Sequence, residues 1–490
     1  MDINVTKKDW FFLLFCLVIG IVGEEAFFRD QIGISYFVFI AAFYMLVFWR
    51  FRTFAFTHQR LGYLVLIAIW VLAAGYYLYD SLLFYVLNIV AIPSLVLFHL
   101  ALITSPKKLE WTNVFFVFYI LRRLFEGLRY NALFTRYIAI HSRKNNDPKH
   151  NEVWKKILLG VVISVPFLFI ILNLLISADA QFARILSALP NMLSFRTDYL
   201  IRFLIVLFLA FSFFGYMQVL AQRNIQIFKQ EGTIQPVTFD GIITLTVLVL
   251  LNIVYMLFIA VQFRYFFSGT LNDGFTYAEY ARRGFFELLF VTLINLSVTT
   301  VSITYTKKLQ GILKKTVNLA LSVLVLSSGV LLISAFMRLM MYEEAYGFTF
   351  TRVLAHSFMI FLMVIFSYTL VKIWLENLSL FHFYFIAALI YYAGINVVNL
   401  DKIVVEQNVN RFELTGKIDI HYLNYMSATG VLGLIHLYEK DPDVPGLEAL
   451  LRQRKAEKEY LKSGSWQSLN FTRQQAYEKL RALELRKEME

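Results

Sequence analysis

The residues best suited to chemistry in this sequence are arginines and carboxylates between long apolar segments. Connections rich in lysine alternate along the chain with short connections. The short connections hold nine basic residues, and all nine are arginine. They are Arg29, Arg184, Arg196, Arg202, Arg264, Arg282, Arg283, Arg338 and Arg352. Arginine binds carboxylates and phosphates through paired hydrogen bonds and tolerates partial burial. Carboxylates stand beside these arginines, so the pattern indicates either a site for an anionic group or structural ion pairs that fix the loops.

Other kinds of catalytic or binding site have no signature in the sequence. The eight histidines lack the spacing of metal ligands, and His356 and His382 fall at opposite membrane faces. Glycine-rich phosphate loops and a GxSxG nucleophile elbow are absent from the sequence. We therefore expect no cofactor and no bound metal.

Glu24 and Glu25 directly follow the first apolar segment. Membrane glycosyltransferases that use polyprenyl-linked sugars often carry an acidic residue in this loop, with a similar number of helices and an outer C-terminal domain. Adjacent exposed carboxylates are also typical of an ordinary solvated loop. The pair therefore leaves a membrane enzyme, such as a lipid-linked-sugar glycosyltransferase, open as an alternative function.

The elements that must position these residues are about eleven apolar segments. The 490-residue chain is 59% hydrophobic and 16% charged, with Cys16 as its sole cysteine, whereas soluble domains are about 45–50% apolar and about 25% charged. Each segment has roughly the 20 residues that a helix needs to cross a bilayer. They lie near 10–28, 32–49, 61–79, 81–104, 157–176, 199–221, 241–263, 284–306, 316–337, 353–373 and 380–400. The composition thus predicts an all-α polytopic membrane protein and excludes a soluble multidomain enzyme, a disordered chain and a disulfide scaffold.

The distribution of positive charge predicts the orientation of these segments. The N-terminus and every second connection hold 23 Lys and Arg against 9 Asp and Glu, while the opposite short connections hold 9 against 11. Because lysine and arginine accumulate in cytoplasmic loops, the N-terminus is predicted to be cytoplasmic. The short apolar stretch 111–121 runs into several arginines, so we interpret it as an interfacial helix and not a span. The net charge of +12 therefore reflects membrane sidedness, and no nucleic-acid partner is expected.

The chain divides into four predicted parts. Residues 1–104 form a four-helix membrane unit, 105–156 a basic cytoplasmic or interfacial segment, and 157–400 a seven-helix membrane unit. Residues 401–490 form a small helical extracytoplasmic tail, whose last helix is predicted to open with a capping box of Thr472 and Gln475. Asn88, Asn173, Asn252 and Asn295 lie within spans and are expected to form hydrogen bonds between helices.

Several segments resemble a known bacterial membrane family. They are LISADAQF (175–182), YAEYARRGFFEL (277–288), RLMMYEEAYGFT (338–349), NLDKIVVEQNVNR (399–411), DIHYL (419–423) and SWQSLNFTR (465–473). The sequence resembles, from about residue 154 onward, the domain of unknown function numbered forty-one seventy-three and the related forty-one fifty-three group. The resemblance implies a bacterial, membrane-integral protein and no assigned activity. A carotene-monooxygenase label carried by some members needs histidines around iron, and this sequence has no such cluster.

The resemblance and the charge pattern converge on one predicted polar constellation at the outer face, covered by the tail. Its members are Asp179, Tyr277, Glu279, Tyr280, Arg283, Glu287, Arg338, Tyr342, Glu343, Tyr346, Arg352, Asn408 and Arg411. Glu287 stands about one turn inside its span, where an ionisable group is costly unless it is paired.

These observations favour a non-catalytic role in a bacterial cytoplasmic membrane. The expected function is binding, transporting or sensing an anionic lipid or envelope component at the outer leaflet, with membrane lipids as partners. The glycosyltransferase remains one alternative. A structural partner of another membrane protein is a second, although the sequence identifies no protein partner.

Overall fold

The computed structural model describes most of the chain. The described residues are 5–107, 109–113, 115–142, 197–222, 238–267, 285–306, 309–462 and 464–486, with single positions at 160, 164, 171, 175 and 179. Regular structure in these ranges is helical, apart from an isolated bridge between Phe239 and Thr306. The predicted all-α fold class is confirmed.

Apolar helices follow one another along most of the chain. Within the described ranges, the first eleven are α1 (Lys7–Phe28), α2 (Ile34–Arg50), α3 (Gln59–Leu78), α4 (Leu82–Thr104), α5 (Phe115–Ser142), α6 (Thr197–Ala221), α7 (Gly241–Phe267), α8 (Phe285–Tyr305), α9 (Gly311–Tyr346), α10 (Phe350–Trp374) and α11 (Leu380–Val397). Nine of the described helices are long and apolar enough to span a membrane, and α2 is a shorter apolar helix. The predicted span near 157–176 lies outside the described ranges. The chain is therefore a multi-pass membrane protein.

Helix α9 is longer than the predicted span 316–337. It has 36 residues, which corresponds to about 54 Å at 1.5 Å per residue, whereas the hydrocarbon core is about 30 Å thick. The helix therefore continues past its apolar part without a break. As a result, the polar residues from Arg338 to Tyr346 lie on a continuous helix and not in a loop.

One compact unit contains Met1–Gly62, Val96–Ile225 and Ser465–Ser468. In this unit α1 packs closely on α6, since a Cβ atom on Gly20 would lie only 2.6 Å from the Val206 carbonyl oxygen. Small residues allow such close approach between membrane helices. Helix α5 also packs on α6 and is not among the nine candidate spans. Its location at the membrane interface stays a prediction.

The other compact unit contains Tyr63–Leu95, Gln226–Gly464 and Leu469–Glu490. Its main apolar core lies between α7, α8, α9 and α10. The division of the chain at 104, 156 and 400 stays a prediction.

Five helices follow α11 and belong to this second unit. They are α12 (Leu400–Thr415), α13 (Ile420–Tyr425), α14 (Ala428–Lys440), α15 (Leu447–Ala456) and α16 (Phe471–Ala482). They bury an apolar core of their own that includes Leu423, Val431 and Leu447. The predicted capping box is wrong, because the side chain of Asn470 caps α16 by accepting from the Arg473 N–H. The Thr472 hydroxyl instead donates to the carbonyl of Leu78 at 2.7 Å.

The intramembrane asparagines join helices as expected. Asn88 donates to the Asn396 side chain at 2.7 Å, and Asn252 donates to the Ala320 carbonyl at 2.8 Å. Asn295 donates to the Ser328 hydroxyl at 2.9 Å. These three predictions are confirmed, and Asn173 lies outside the described residues.

Candidate functional site at the α9–α10 corner

Helices α9 and α10 reverse direction through a tight connection. We use the name α9–α10 corner for residues 338–356, which comprise the end of α9, the connection 347–349 and the start of α10. Gly347 ends α9 with a φ of +85°, a backbone conformation that favours glycine. A Cβ atom at this position would also lie 2.8 Å from Asn408 Oδ1. Thr349 then precedes α10 in an extended conformation, so the two helices pack side by side.

Polar side chains of α12 hold the connection in place. Asn408 Oδ1 accepts from the N–H of Phe348 at 3.0 Å, and Asn408 Nδ2 donates to the Phe348 carbonyl at 2.8 Å. Arg411 donates to the carbonyls of Glu344 at 3.1 Å and Ala345 at 2.9 Å. These contacts satisfy backbone groups that the end of α9 leaves without helical partners. The predicted residues Asn408 and Arg411 therefore do meet the corner.

The Tyr422 hydroxyl of α13 adds a further contact by accepting from the Phe350 N–H at 2.9 Å. Burial raises the pKa of the Tyr422 phenol above its ordinary value, and the nearby Asp401 charge adds to this while the Phe350 bond and Arg352 oppose it. The hydroxyl therefore stays protonated at neutral pH and keeps its proton for a second partner.

A buried Glu–His pair lies inside the corner. Glu343 Oε2 is 3.2 Å from His356 Nδ1, and Glu343 is only 2% exposed. Glu343 Oε1 and His356 Nε2 are both buried and have no hydrogen-bond partner among the described residues. Arg338, which is 7% exposed, lies on the same helix between one and two turns before Glu343. Because a buried unmade hydrogen bond costs about 1–3 kcal/mol, the pair has capacity for a further polar group.

Arg352 lies over an aromatic ring on the neighbouring helix. Its guanidinium carbon is 4.1 Å from the centroid of the Tyr342 ring, and Tyr342 in turn lies 5.0 Å from the ring of Tyr346. Arg352 also donates to the Gly347 carbonyl. These contacts orient the guanidinium without neutralising its charge.

Two arginines, Arg352 of the corner and Arg411 of α12, leave local positive charge here, although residues 338–356 also contain the carboxylates Glu343 and Glu344. Within the described ranges, Arg352 and Arg411 form no ion pair with a carboxylate, and their polar contacts go to backbone carbonyls. A carbonyl accepts a hydrogen bond but carries no net charge, so both guanidiniums keep a full positive charge near the surface. Such an arrangement can bind a phosphate or carboxylate through paired hydrogen bonds.

Other members of the predicted constellation are not brought to the corner by the described contacts. Glu287 is exposed on α8, and no described hydrogen bond or ion pair joins it to the corner. Asp179 is an exposed single described position. Tyr277, Glu279, Tyr280 and Arg283 lie outside the described residues. That all thirteen residues form one site therefore stays a prediction.

The two carboxylates considered for catalysis are engaged in ion pairs. Glu24 is 4% exposed and lies 3.8 Å from Arg29 Nε and 3.6 Å from Arg202 Nε. Glu25 lies 2.9 Å from Arg29 Nε and accepts from Gln467 at 2.6 Å. These ion pairs lie at the end of α1, and Glu24 Oε1 has no hydrogen-bond partner among the described residues.

The sequence did not single out His356 or Tyr422 as parts of a site. In the sequence, His356 has no metal-ligand spacing to another histidine. In the structure, its partner is a single glutamate on the adjacent helix. The sequence did contain a signal for this pair. In a helical hairpin, residues that are similar numbers of positions from the turn lie side by side on the two helices. No group of three His, Cys, Asp or Glu able to hold a metal occurs within the described ranges.

The helices and the corner together define a multi-pass helical membrane protein with a polar cluster at one end of a helical hairpin. The family model described as "Domain of unknown function (DUF4153)" matches residues 66–437, so the chain belongs to this family. The matched range includes the whole corner as well as Asn408, Arg411 and Tyr422. No curated protein and no solved structure matches the chain at a significant level.

Proposed function

We propose that the α9–α10 corner binds the anionic head group of an outer-leaflet lipid or a lipid-linked envelope component. The observation that carries this proposal is the charge of Arg352 and Arg411, which carbonyls orient but carboxylates do not offset. Each positive residue near a membrane surface contributes about 1 kcal/mol to the attraction of anionic lipid. Arg352 begins an apolar helix, so its guanidinium lies at the depth of lipid phosphates.

The proposal includes an orientation in a bacterial cytoplasmic membrane. The excess of lysine and arginine in alternate connections supports a cytoplasmic N-terminus. Eleven spans then bring the α9–α10 corner and the C-terminal helices to the extracytoplasmic side. We further infer kinship with the family numbered forty-one seventy-three from its two most specific segments in this sequence, YAEYARRGFFEL and RLMMYEEAYGFT, the second of which begins the corner.

Binding is better supported than glycosyl transfer. The catalytic alternative relied on Glu24 and Glu25, and both have arginine partners. Arginine partners on both carboxylates are typical of structural ion pairs that hold the end of a helix.

The test uses the full chain in nanodiscs of phosphatidylglycerol and phosphatidylcholine, followed by native mass spectrometry of the retained lipid. Wild type is expected to retain phosphatidylglycerol in excess over its share of the disc. Arg352→Gln should lower this enrichment about five-fold, which corresponds to one charge of about 1 kcal/mol. Arg352→Lys should keep most of it, since lysine preserves the charge.

A matched control lies on α12 itself. Lys402 is exposed and pairs with Glu406 at 3.6 Å, so Lys402→Gln should leave the enrichment unchanged. The proposal is wrong if wild type retains the two lipids in the proportions of the disc. It is also wrong if Lys402→Gln and Arg352→Gln lower the enrichment equally.

A further inference from the structure

A small cavity lies where α3 ends, α4 begins and α11 gives way to α12. Its volume is about 30 Å³, which is room for about two water molecules. The lining residues used below are Tyr76, Tyr79, Ser81, Phe84, Tyr85 and Asp401. A cavity of this size fits an ion or a single functional group of a larger molecule.

Asp401 supplies the charge of this cavity. It is 8% exposed and its carboxylate accepts a hydrogen bond from Ser81. No basic side chain of the described residues forms an ion pair with it. Its position in the first turn of α12 favours the ionised form. A buried carboxylate without a counter-ion is costly, so a bound cation would relieve that cost.

The neighbouring carboxylate, that of Asp80, has an ion-pair partner and a backbone hydrogen bond. Asp80 Oδ1 lies 2.8 Å from both Nε and Nη2 of Arg473. Its other oxygen accepts from the Ala428 N–H at 3.1 Å. Arg473 is engaged with Asp80, so it does not serve as an ion-pair partner of Asp401.

Aromatic rings determine which cation fits. Tyr76, Tyr79, Phe84 and Tyr85 line the cavity, and the Tyr76 hydroxyl is engaged with the Tyr85 carbonyl at 2.7 Å. Asp401 is the one carboxylate in the lining, and no group of three His, Cys, Asp or Glu able to hold a metal occurs in the described residues, whereas organic ammonium groups bind well to aromatic faces beside a carboxylate. The lining therefore favours an ammonium group over a metal ion.

We propose that the Asp401 cavity binds the ammonium group of an aminophospholipid head group such as phosphatidylethanolamine. A free amine offers the same ammonium chemistry. The lipid is favoured because α3 and α11, both candidate spans, end at the cavity and α4 begins there, which is the depth at which head groups lie. This site uses none of the corner arginines, so it stands or fails separately from the proposed anion site.

The experiment compares full-length wild type, Asp401→Asn and Phe84→Leu in nanodiscs of phosphatidylethanolamine, phosphatidylglycerol and phosphatidylcholine at pH 7.5. Wild type is expected to retain phosphatidylethanolamine above its share of the disc. Asp401→Asn should lower this enrichment about ten-fold, because a buried ammonium loses its counter-charge. Phe84→Leu should lower it less, since it removes one ring and keeps the carboxylate. Retention of phosphatidylglycerol should not change in either variant.

The control is Glu406→Gln, which removes an exposed carboxylate of the same helix and should have no effect. Size-exclusion profiles identical to wild type establish that each variant is folded. Free ethanolamine at millimolar concentration should compete only weakly with the lipid. The proposal is overturned if Asp401→Asn retains phosphatidylethanolamine normally, if sodium ions displace it, or if free ethanolamine displaces it at micromolar concentration.

Discussion

Arginines gather at the end of α1 and at the α9–α10 corner, and their charges are balanced differently. At the end of α1, Arg29 and Arg202 lie within 4 Å of Glu24, and Arg29 also pairs with Glu25. At the corner, Arg352 and Arg411 contact carbonyls and an aromatic ring. The charge of an arginine beside a carboxylate is offset within the protein. An arginine held by carbonyls keeps its charge for a ligand, which is the basis of the proposed function.

Asp80 and Asp401, whose charges act on each other, repeat this contrast. Asp80 is paired with Arg473, whereas Asp401 is buried without a counter-ion among the described residues. The comparison shows that residues of the same type differ in whether an oppositely charged side chain lies beside them. Substituting a paired charge and substituting an unpaired one should therefore change stability or lipid retention in opposite directions or by unequal amounts.

The largest expected effect is a gain of stability in Asp401→Asn. Burial, with the charge of Asp80 adding to it, raises the pKa of the Asp401 carboxyl from 3.8 to about 6. Between these values the native state binds the proton more tightly than the unfolded state, so stability falls as the pH rises through this range. In amine-free buffer at pH 7.5, Asp401→Asn should add on the order of 3 kcal/mol, and the gain should vanish near pH 4. Denaturant titration of the purified protein at both pH values measures this.

Asp80→Asn makes the same change at the carboxylate that has an arginine partner. It should lower stability at pH 7.5 by about 1–2 kcal/mol, because Arg473 loses a partly buried partner. If both substitutions destabilise the protein, the distinction between the two carboxylates is incorrect.

Asn408→Ala should lower the free energy of unfolding by about 2 kcal/mol. The change leaves the N–H and carbonyl of Phe348 without their side-chain partner. Asn408→Asp keeps the acceptor but sets a buried carboxylate oxygen against the Phe348 and Val404 carbonyls, so a loss at least as large is expected. Thermal unfolding in detergent checks both values. A loss that depends strongly on salt would contradict a corner held by neutral hydrogen bonds.

Retention of phosphatidylethanolamine should fall about ten-fold as the pH decreases from 7.5 to 5, since protonation of Asp401 removes the charge that binds ammonium. Titratable or charged groups described near Asp401 are Asp80, Arg473, Tyr76, Tyr79, Tyr85, Arg352 and Tyr422. Native mass spectrometry at each pH gives the profile. An equal decrease in Asp401→Asn would assign the pH dependence to another group.

The smallest effects are expected at the paired arginines. Glu24→Gln should destabilise the protein by about 1 kcal/mol, since its arginine partners are partly exposed. Arg29→Gln should change phosphatidylglycerol retention by less than about two-fold, because the charge of Arg29 is already offset. Lipid retention that decreases in Arg29→Gln as much as in Arg352→Gln would remove the contrast between the two clusters.

Hydropathy was sufficient to predict the fold class, because a membrane helix is encoded by one local run of about 20 apolar residues. The end of α9 was not predicted, since Arg338 to Tyr346 are polar enough to resemble a loop. The spacing of Thr472 and Gln475 predicts a helix cap at Thr472. Its hydroxyl instead donates to the Leu78 carbonyl, a contact between residues far apart in the sequence.

The candidate site was only partly predictable for the same reason. Arg338, Glu343 and Arg352 stood out because the short outer connections use arginine as their only basic residue, with carboxylates beside it. His356 and Asp401 became meaningful only through partners on other elements, namely Glu343, and Ser81 with Asp80. A single sequence contains no direct record of such pairings.

The most direct test of the proposed function is the composition of lipid that copurifies with the full-length protein from its own membrane. Mass spectrometry should find anionic lipid enriched over the bulk membrane in wild type and in Arg29→Gln. The enrichment should be reduced about 25-fold in the double variant Arg352→Gln, Arg411→Gln, which removes two charges. Bulk composition in all three proteins would contradict an anionic-lipid site at the α9–α10 corner.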